Sequence, residues 1–203
     1  EDDVERVYDE SSRAQRLGIN GVPIPRDAHW KLGLVERHIG VLKYMLKRVM
    51  DRIPEGVPVI LDAKRSDIGE TQRRYAQACF EFFGAHAVTL NPFMGYDSLE
   101  PFLDYPGKGI YLLAVTSNPG SSDLQRRESE GRRVFELVGE FPVRAEGEKR
   151  ETDVGLVVGL TNAAGEVLAG LPDVPLLVPG LGAQGGDLSA LSGSQRQAPN
   201  VFN

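Results

Sequence analysis

Residues Leu61 to Thr71 read LDAKRSDIGET and directly follow the apolar run Val57 to Ile60. An apolar run that ends in charged residues indicates a buried strand that leads into a loop. Because alternate residues of an extended chain share a face, we expect Asp62 and Lys64 to point the same way. Asp67 lies three residues beyond Lys64 and is placed to bring a second carboxylate to the same ammonium. The stretch therefore predicts an acid, base and acid constellation at a strand end.

A structural interpretation of the same residues stays open. Asp67 followed by Glu70 fits an acidic helix start, with Asp67 as the N-cap residue and Glu70 reaching back to the backbone. Asp62 and Lys64 then form an ordinary ion pair at the end of a strand. Spacing alone does not choose between this interpretation and a functional site.

Length and charge limit the class of protein. The chain has 203 residues, 41% of them apolar, which predicts one domain over residues 1–203 with a sizeable core. The formal net charge of -6, with dispersed Lys and Arg, argues against broad binding to nucleic acid. The net charge still allows binding of a small anionic substrate, provided that positive charge is concentrated at the binding site.

The sequence also favours a cytoplasmic protein. No apolar stretch approaches the ~20 residues of a membrane span, and the acidic start EDDVERVYDE is unlike a signal peptide. Cys79 is the only cysteine and lies in a helical pattern, without a second cysteine for a disulfide or a zinc site. We expect it to be a buried structural thiol.

Short apolar runs alternate with amphipathic segments, which indicates βαβ units and a parallel sheet covered by helices. Most of the runs are continuously apolar, as expected for strands buried on both faces. The predicted strands are Ala28–Leu32, Val57–Lys64, Ala87–Phe93, Gly109–Thr116, Val154–Leu160, Pro175–Gly180 and Asn200–Asn203. The predicted helices are the amphipathic segment from Leu34 to Ile53, then Glu70–Phe83, Ser98–Asp104, Asp123–Gly139 and Ala163–Leu171. The charged segment Glu140–Asp153 is predicted as a loop or short helix.

Polar side chains recur at or just after the C-terminal ends of the predicted strands. The C-terminal ends of parallel strands open onto one face of an α/β sheet or barrel, where active sites are found. The segment Pro179–Asp187 adds four glycines, which let backbone amides approach a ligand such as a phosphate. We therefore predict a binding site at this face. Its candidate residues are Lys31, Asp62, Lys64, Asn91, Thr116, Ser117, Asn118, Gly182 and Gln184.

Four segments together resemble the orotidine 5′-phosphate decarboxylase family, particularly its bacterial branch. They are LDAKRSDIGET, VTLNPFMGYDSLEPF, TSNPG and LVPGLGAQGGD. The resemblance implies a (β/α)8 TIM barrel that acts as a homodimer with shared active sites. It also implies decarboxylation of orotidine 5′-monophosphate to uridine 5′-monophosphate, in pyrimidine biosynthesis, without a metal or an organic cofactor. The barrel is expected to lack a clear first strand before Ala28 and to be truncated at the last strand, which begins at Asn200.

The resemblance further implies roles for the charged residues. Lys64 is similar to the lysine that donates a proton to the ring carbon that loses its carboxylate. Asp62 lies beside that carboxylate, and Lys31 joins the charged network. Asp67 and Thr71 resemble the residues that enter the active site of the neighbouring subunit.

The substrate contacts follow in the same way. Ser117 resembles the residue that reads the pyrimidine edge, and Gln184 the residue that bridges base and phosphate. From their positions, Asn91 near the end of the third predicted strand and Gly182 in the glycine-rich loop are also expected to contact the substrate.

Two other functions are compatible with the sequence. In the family, an aspartate at the end of the first strand contacts the ribose, and no equivalent strand is found before Ala28. The family's phosphate-binding arginine follows the last strand, whereas Arg196 precedes the last predicted strand. Their absence favours a catalytically inactive relative that binds nucleotides or serves as a scaffold. The third possibility is a magnesium-dependent decarboxylase of the same superfamily that acts on a sugar-phosphate keto acid. The sequence also leaves open whether an orotate phosphoribosyltransferase is fused to the protein.

Overall fold

The computed structural model describes residues 40–41, 43–159, 165–180 and 196–202. The chain divides into two compact units, Glu1–Arg52 and Ile53–Asn203. In the first unit, residues 40–41 and 43–50 are helical, as the apolar periodicity predicted. The predicted strand Ala28–Leu32 lies outside the described residues, and the single domain over 1–203 stays a prediction.

A six-stranded parallel sheet organises the second unit. Every strand pairs with the next one of this sheet along the chain, so the sheet runs in sequence order. The strands are β1 (Ile60–Arg65), β2 (Ala87–Leu90), β3 (Gly109–Val115), β4 (Asp153–Val158), β5 (Leu176–Val178) and β6 (Asn200–Phe202). The α/β class, the parallel sheet and six of the seven predicted strands are confirmed.

The core packs around the middle of this sheet. β2 and β5 are buried along their whole length, and the last four residues of β4 are buried as well. Burial on both faces explains why these strands are continuously apolar in sequence. Each large apolar side chain removed from water contributes about 1.5–3 kcal/mol. Fully buried examples are Leu90, Leu99, Phe102, Leu103, Ile110, Leu112, Phe135, Leu156 and Leu176.

Helices follow several of the strands. They are α1 (Gly69–Gln77), which continues as a π-helical segment over Ala78–Phe82, then α2 (Glu100–Leu103), α3 (Val134–Gly147) and α4 (Gly165–Ala169). Cys79 is buried, as predicted, and is not disulfide-bonded, and burial raises the pKa of this thiol to about 11. Within the described ranges, none of the helices has the length and apolarity required to cross a bilayer.

The segment after β3 departs from the sequence prediction of a helix over Asp123–Gly139. A 3-10 helix covers Pro119–Asp123, and Glu128–Ser129 then pairs with Arg132–Arg133 as an antiparallel hairpin. Glu130 and Gly131 at the hairpin turn have φ angles of 54° and 75°. Two successive left-handed residues are typical of a type I′ turn, which matches the twist of the paired strands.

The prediction of a loop or short helix over Glu140–Asp153 is wrong for its first part, because α3 extends through Gly147, and residues 148–152 form the predicted loop. Its buried residues are Phe135, Gly139, Pro142 and Ala145, at the three- and four-residue spacing of one helix face. Three of these four are small or are proline, so the buried stripe is weakly apolar in sequence. The helix begins where the Glu136 side chain accepts a hydrogen bond from the Arg133 amide at 2.7 Å.

Candidate active site

β1 loses regular strand geometry where the predicted site begins. Its pairing with β2 is regular through Leu61 and then shifts, so that the next paired residue is Arg65. Within the irregular stretch, Lys64 has a φ angle of 46°, in the left-handed region that L-residues rarely adopt. Such a conformation costs on the order of 1–3 kcal/mol and persists only where neighbouring contacts hold it.

Asp62 and Lys64 form an ion pair at this strand end. The Lys64 Nζ atom lies 2.5 Å from the Asp62 Oδ2 atom, which confirms that the two side chains face one another. The side chains are 52% exposed for Lys64 and 57% for Asp62. An ammonium that is oriented yet accessible can stabilise negative charge on a bound ligand and donate a proton to it.

The sequence analysis missed Thr89, which joins the two residues from the neighbouring strand β2. Its Oγ1 atom accepts a hydrogen bond from the Lys64 backbone nitrogen at 2.9 Å. The same hydroxyl donates to the Asp62 Oδ1 atom at 2.8 Å. A hydroxyl inside the otherwise apolar strand AVTL was the one available signal, and a threonine in a strand is too common to single out.

The electrostatics of Asp62 follow from these contacts. Partial burial raises the pKa of the Asp62 carboxyl, but hydrogen bonds from Lys64 and Thr89 and the Lys64 charge together lower it by more. The pKa therefore lies below its ordinary value, and the carboxylate is charged at neutral pH.

Asp67 does not occupy the position that the spacing suggested. Its Oδ1 atom accepts a hydrogen bond from the Ile68 amide at 2.8 Å, and it makes no ion pair with Lys64 in the described structure. Among the described residues, the constellation is thus one acid and one lysine. The carboxylate is turned to the adjacent amide, which explains why the three-residue spacing failed to predict the contact.

The alternative helix-cap interpretation of Asp67 is wrong as well. The N-cap residue of α1 is Ile68, and no side chain caps it. Glu70 instead forms ion pairs with Arg73 and Arg74 further along the helix. Thr71 lies exposed in the first turn of α1.

Asn91 lies directly after β2 and beside the end of β1. Its backbone nitrogen donates to the Arg65 carbonyl at 2.9 Å. Its Oδ1 atom accepts a hydrogen bond from the Phe93 amide at 3.1 Å and caps the 3-10 helix Pro92–Met94. The side chain therefore has a local structural role at the strand end.

Ser117 lies after β3, close to the end of β4. A Cβ atom on Gly159 would lie 2.9 Å from the Ser117 nitrogen, so the absence of a side chain at Gly159 permits this close approach. Gln125, which the sequence analysis missed, secures the preceding residue Thr116. It accepts from the Thr116 amide at 2.9 Å and donates to the Thr116 hydroxyl at 2.8 Å.

Three predicted site residues, Lys31, Gly182 and Gln184, lie outside the described residues. Arg196 is described, and its side chain donates to the Val174 carbonyl at 2.7 Å, just before β5. The structure thus brings Asp62 and Lys64 together with Thr89, and it places Asn91 beside the end of β1.

Comparison with known proteins identifies the family. Residues 33–201 match the orotidine 5′-phosphate decarboxylase / HUMPS family. The chain belongs to this family. Orotidine 5′-phosphate decarboxylase of Cupriavidus metallidurans is 47% identical over 161 residues, and that of Dechloromonas aromatica is 48% identical over 160 residues. Both alignments cover 77% of this chain, and the bacterial relatives confirm the resemblance found in the sequence.

A solved structure of the decarboxylase family shares the fold. The Leishmania donovani OMP decarboxylase superposes with a TM-score of 0.68 at 40% identity, covering 79% of this chain and 65% of that one. The chain spans 57% and 58% of the lengths of the Cupriavidus and Dechloromonas relatives.

Proposed function

We propose that the protein decarboxylates orotidine 5′-monophosphate to uridine 5′-monophosphate, a step of de novo pyrimidine biosynthesis, without a cofactor. The observation that carries the proposal is the Lys64 ammonium, held 2.5 Å from Asp62 and about half exposed at the end of β1. Family membership supports it, since the relatives at 47% and 48% identity are orotidine 5′-phosphate decarboxylases.

Lys64 supplies the electrostatic stabilisation and the proton in this reaction. Loss of carbon dioxide breaks a carbon–carbon bond and leaves the electron pair on the ring carbon. An ammonium fixed beside that carbon stabilises the developing charge without reorganising. Transfer of one proton from Nζ forms the new carbon–hydrogen bond, and the neutral amine regains a proton from solvent.

Asp62 acts on both the substrate and the lysine. Two like charges about 4 Å apart repel by about 4 kcal/mol at an effective dielectric of 20. A charged Asp62 beside the substrate carboxylate therefore disfavours the bound substrate, and departure of carbon dioxide relieves the repulsion. Its contact with Nζ also keeps Lys64 oriented.

Of the remaining site residues, Lys31, Ser117 and Gln184 are assigned by the family resemblance, and Asn91 and Gly182 by their places after β2 and in the glycine-rich segment. Lys31 joins the charged network around Lys64. Ser117 reads the pyrimidine edge, Gln184 bridges base and phosphate, and Asn91 and Gly182 complete the substrate contacts.

We infer a homodimer in which Asp67 and Thr71 enter the neighbouring subunit's site. Three observations support this arrangement. Asp67 makes no ion pair with Lys64 of its own chain in the described structure, and Thr71 is exposed. Exposed apolar side chains lie in the segments that follow β1 and β2, with Ile68 at 61%, Phe93 at 68% and Met94 at 49% exposure.

Mixed dimers test the shared site. Lys64→Ala and Asp67→Asn variants are each expected to be inactive alone, whereas co-refolded mixtures regain activity, because one site of a mixed dimer has both intact residues. Mixtures that stay inactive although sedimentation shows mixed dimers contradict sharing of these residues.

We also infer that the described sheet is part of a closed barrel. Six parallel strands in sequence order support a (β/α)8 barrel, because the wall of such a barrel is built from consecutive parallel strands. The predicted cytoplasmic location stays a prediction.

Turnover of orotidine 5′-monophosphate by the full-length protein, with and without a chelator, tests the proposed function. We expect uridine 5′-monophosphate to form at the same rate in both conditions. Binding of uridine 5′-monophosphate without turnover would instead identify an inactive nucleotide-binding relative. Chelator-sensitive turnover of a sugar-phosphate keto acid would identify the magnesium-dependent alternative.

A further inference from the structure

One hydroxyl on β2 contacts both members of the proposed catalytic pair. The Thr89 Oγ1 atom lies 2.9 Å from the Lys64 backbone nitrogen and 2.8 Å from the Asp62 Oδ1 atom. Thr89 is only 1% exposed, so water does not compete for these hydrogen bonds. Its strand is buried throughout, which makes β2 a rigid support.

The directions of the two hydrogen bonds are fixed by their chemistry. The Lys64 amide can only donate, so the threonine oxygen accepts there. The single hydroxyl proton then goes to the Asp62 carboxylate. Because the other Asp62 oxygen receives the Lys64 ammonium, a continuous chain of hydrogen bonds runs from Thr89 through Asp62 to Nζ.

The same hydroxyl also supports the unusual backbone of Lys64. The register shift in β1 removes the regular pairing of this residue with β2. Thr89 Oγ1 instead accepts the hydrogen bond from the Lys64 amide, and Lys64 has a φ angle of 46°. This hydrogen bond is partly buried, so the hydroxyl replaces a partner that water supplies less readily there, and it stabilises the conformation that aims the lysine.

We propose that Thr89 is a positioning residue, which fixes the Lys64 backbone and the Asp62 carboxylate so that the ammonium is aimed at the reacting carbon. The proposal rests on the decarboxylase function proposed above. Thr89 touches neither the substrate nor the reacting atoms in this account. Its effect on the reaction passes entirely through its two neighbours.

Two substitutions at this position separate the hydroxyl from the side-chain shape. Thr89→Val keeps the volume and removes both hydrogen bonds, whereas Thr89→Ser keeps the hydroxyl. A misplacement of catalytic groups by about 1 Å costs on the order of 100-fold. We expect a loss of kcat of that order in Thr89→Val with little change in KM, and recovery of most of the rate in Thr89→Ser.

Thr152 provides a matched control. It is 4% exposed, and its hydroxyl accepts from the Tyr105 amide at 2.9 Å and lies 2.9 Å from the Phe102 carbonyl oxygen. All these contacts are to backbone just before β4, at the opposite end of the sheet from Lys64. Thr152→Val is expected to lower the thermal midpoint about as much as Thr89→Val does, and to leave kcat unchanged.

Crystal structures of the variants keep this test separate from the test of the proposed function. We expect a rotated Asp62 carboxylate or a shifted Lys64 in Thr89→Val, and an unchanged pair in Thr89→Ser. A Thr89→Val protein with normal kcat, or with an unmoved pair, overturns the positioning role. If the parent protein does not turn over orotidine 5′-monophosphate, the proposed function fails and the crystal structures alone decide the role of Thr89.

Discussion

The Lys64 ammonium lies 2.5 Å from a carboxylate oxygen of Asp62, although the backbone of Lys64 is in the left-handed region. The ion pair is therefore not a product of regular strand alternation alone. It depends on the register shift in β1 and on the hydroxyl of Thr89 from β2.

The low pKa of Asp62 predicts a pH-dependent contribution to folding. A carboxyl whose pKa is lower in the folded state stabilises the fold above its unfolded pKa of about 3.9, and the contribution disappears as pH falls through the folded value. Asp62→Asn should lower the free energy of unfolding slightly at pH 7, by about 0.2–1 kcal/mol, since the side chain is more than half exposed. Urea denaturation at pH 7 and pH 3 checks this, and an equal difference at both values contradicts it.

Glu148 predicts a second acid-sensitive contact, remote from the site. Hydrogen bonds from Arg144 at 2.8 Å and Arg150 at 2.9 Å lower the pKa of Glu148 to about 2, and Tyr96 also donates to it at 3.0 Å. Arg150 extends the network to Asp104 at 3.1 Å. These contacts connect the end of α3 to the residue that follows α2.

Glu148→Gln is expected to lower the thermal midpoint at neutral pH. Because the folded pKa is depressed, the stabilisation is present above the unfolded pKa and is lost as pH falls from about 4.5 towards 2. Glu146→Gln is the control, since Glu146 is exposed on the same helix and makes no ion pair in the described ranges. Thermal melts at several pH values should show the gap between wild type and Glu148→Gln closing with acid; a constant gap would argue against this charge network.

Gln72 predicts a stabilising substitution. Its side chain is fully buried in α1, and neither amide atom has a hydrogen-bond partner in the described structure. Unpartnered buried polar groups cost about 1–3 kcal/mol. Gln72→Met should therefore raise the free energy of unfolding by roughly 1 kcal/mol, because methionine has a similar shape without the polar atoms.

Gln125→Met is the matched comparison, because the Gln125 amide makes two hydrogen bonds to Thr116. This variant should be less stable than wild type in the same denaturation experiment. Destabilisation by Gln72→Met of the same size would show that the Gln72 amide is hydrogen-bonded in solution.

The sequence predicted the sheet well because its strands are buried on both faces. Six predicted strands agree with the observed ones within a few residues, for example Gly109–Thr116 against Gly109–Val115. The helix before β4 was misplaced for a physical reason. Its buried stripe uses Gly139, Pro142 and Ala145, and the Glu130–Gly131 turn was not recognised as a hairpin signal.

Contacts in the site were predictable between residues that are close in sequence. They were less predictable where they depend on the pairing register of two strands. Asp62 and Lys64 were expected to face each other, and they do. Thr89 lies more than twenty residues away, and its contact with both depends on how β1 and β2 align after the shift. The contact expected between Asp67 and Lys64 failed because a local amide captures the carboxylate.

The most direct test of the central claim is the rate at which Lys64→Ala releases carbon dioxide from orotidine 5′-monophosphate in the full-length protein. Lys149→Ala is the control, because Lys149 is also a left-handed lysine, with a φ angle of 56°, and lies far along the chain before β4. General acid catalysis contributes about 10²–10⁴-fold. We predict that kcat falls by at least this range in Lys64→Ala and stays unchanged in Lys149→Ala, whereas turnover by Lys64→Ala at the wild-type rate would contradict the account.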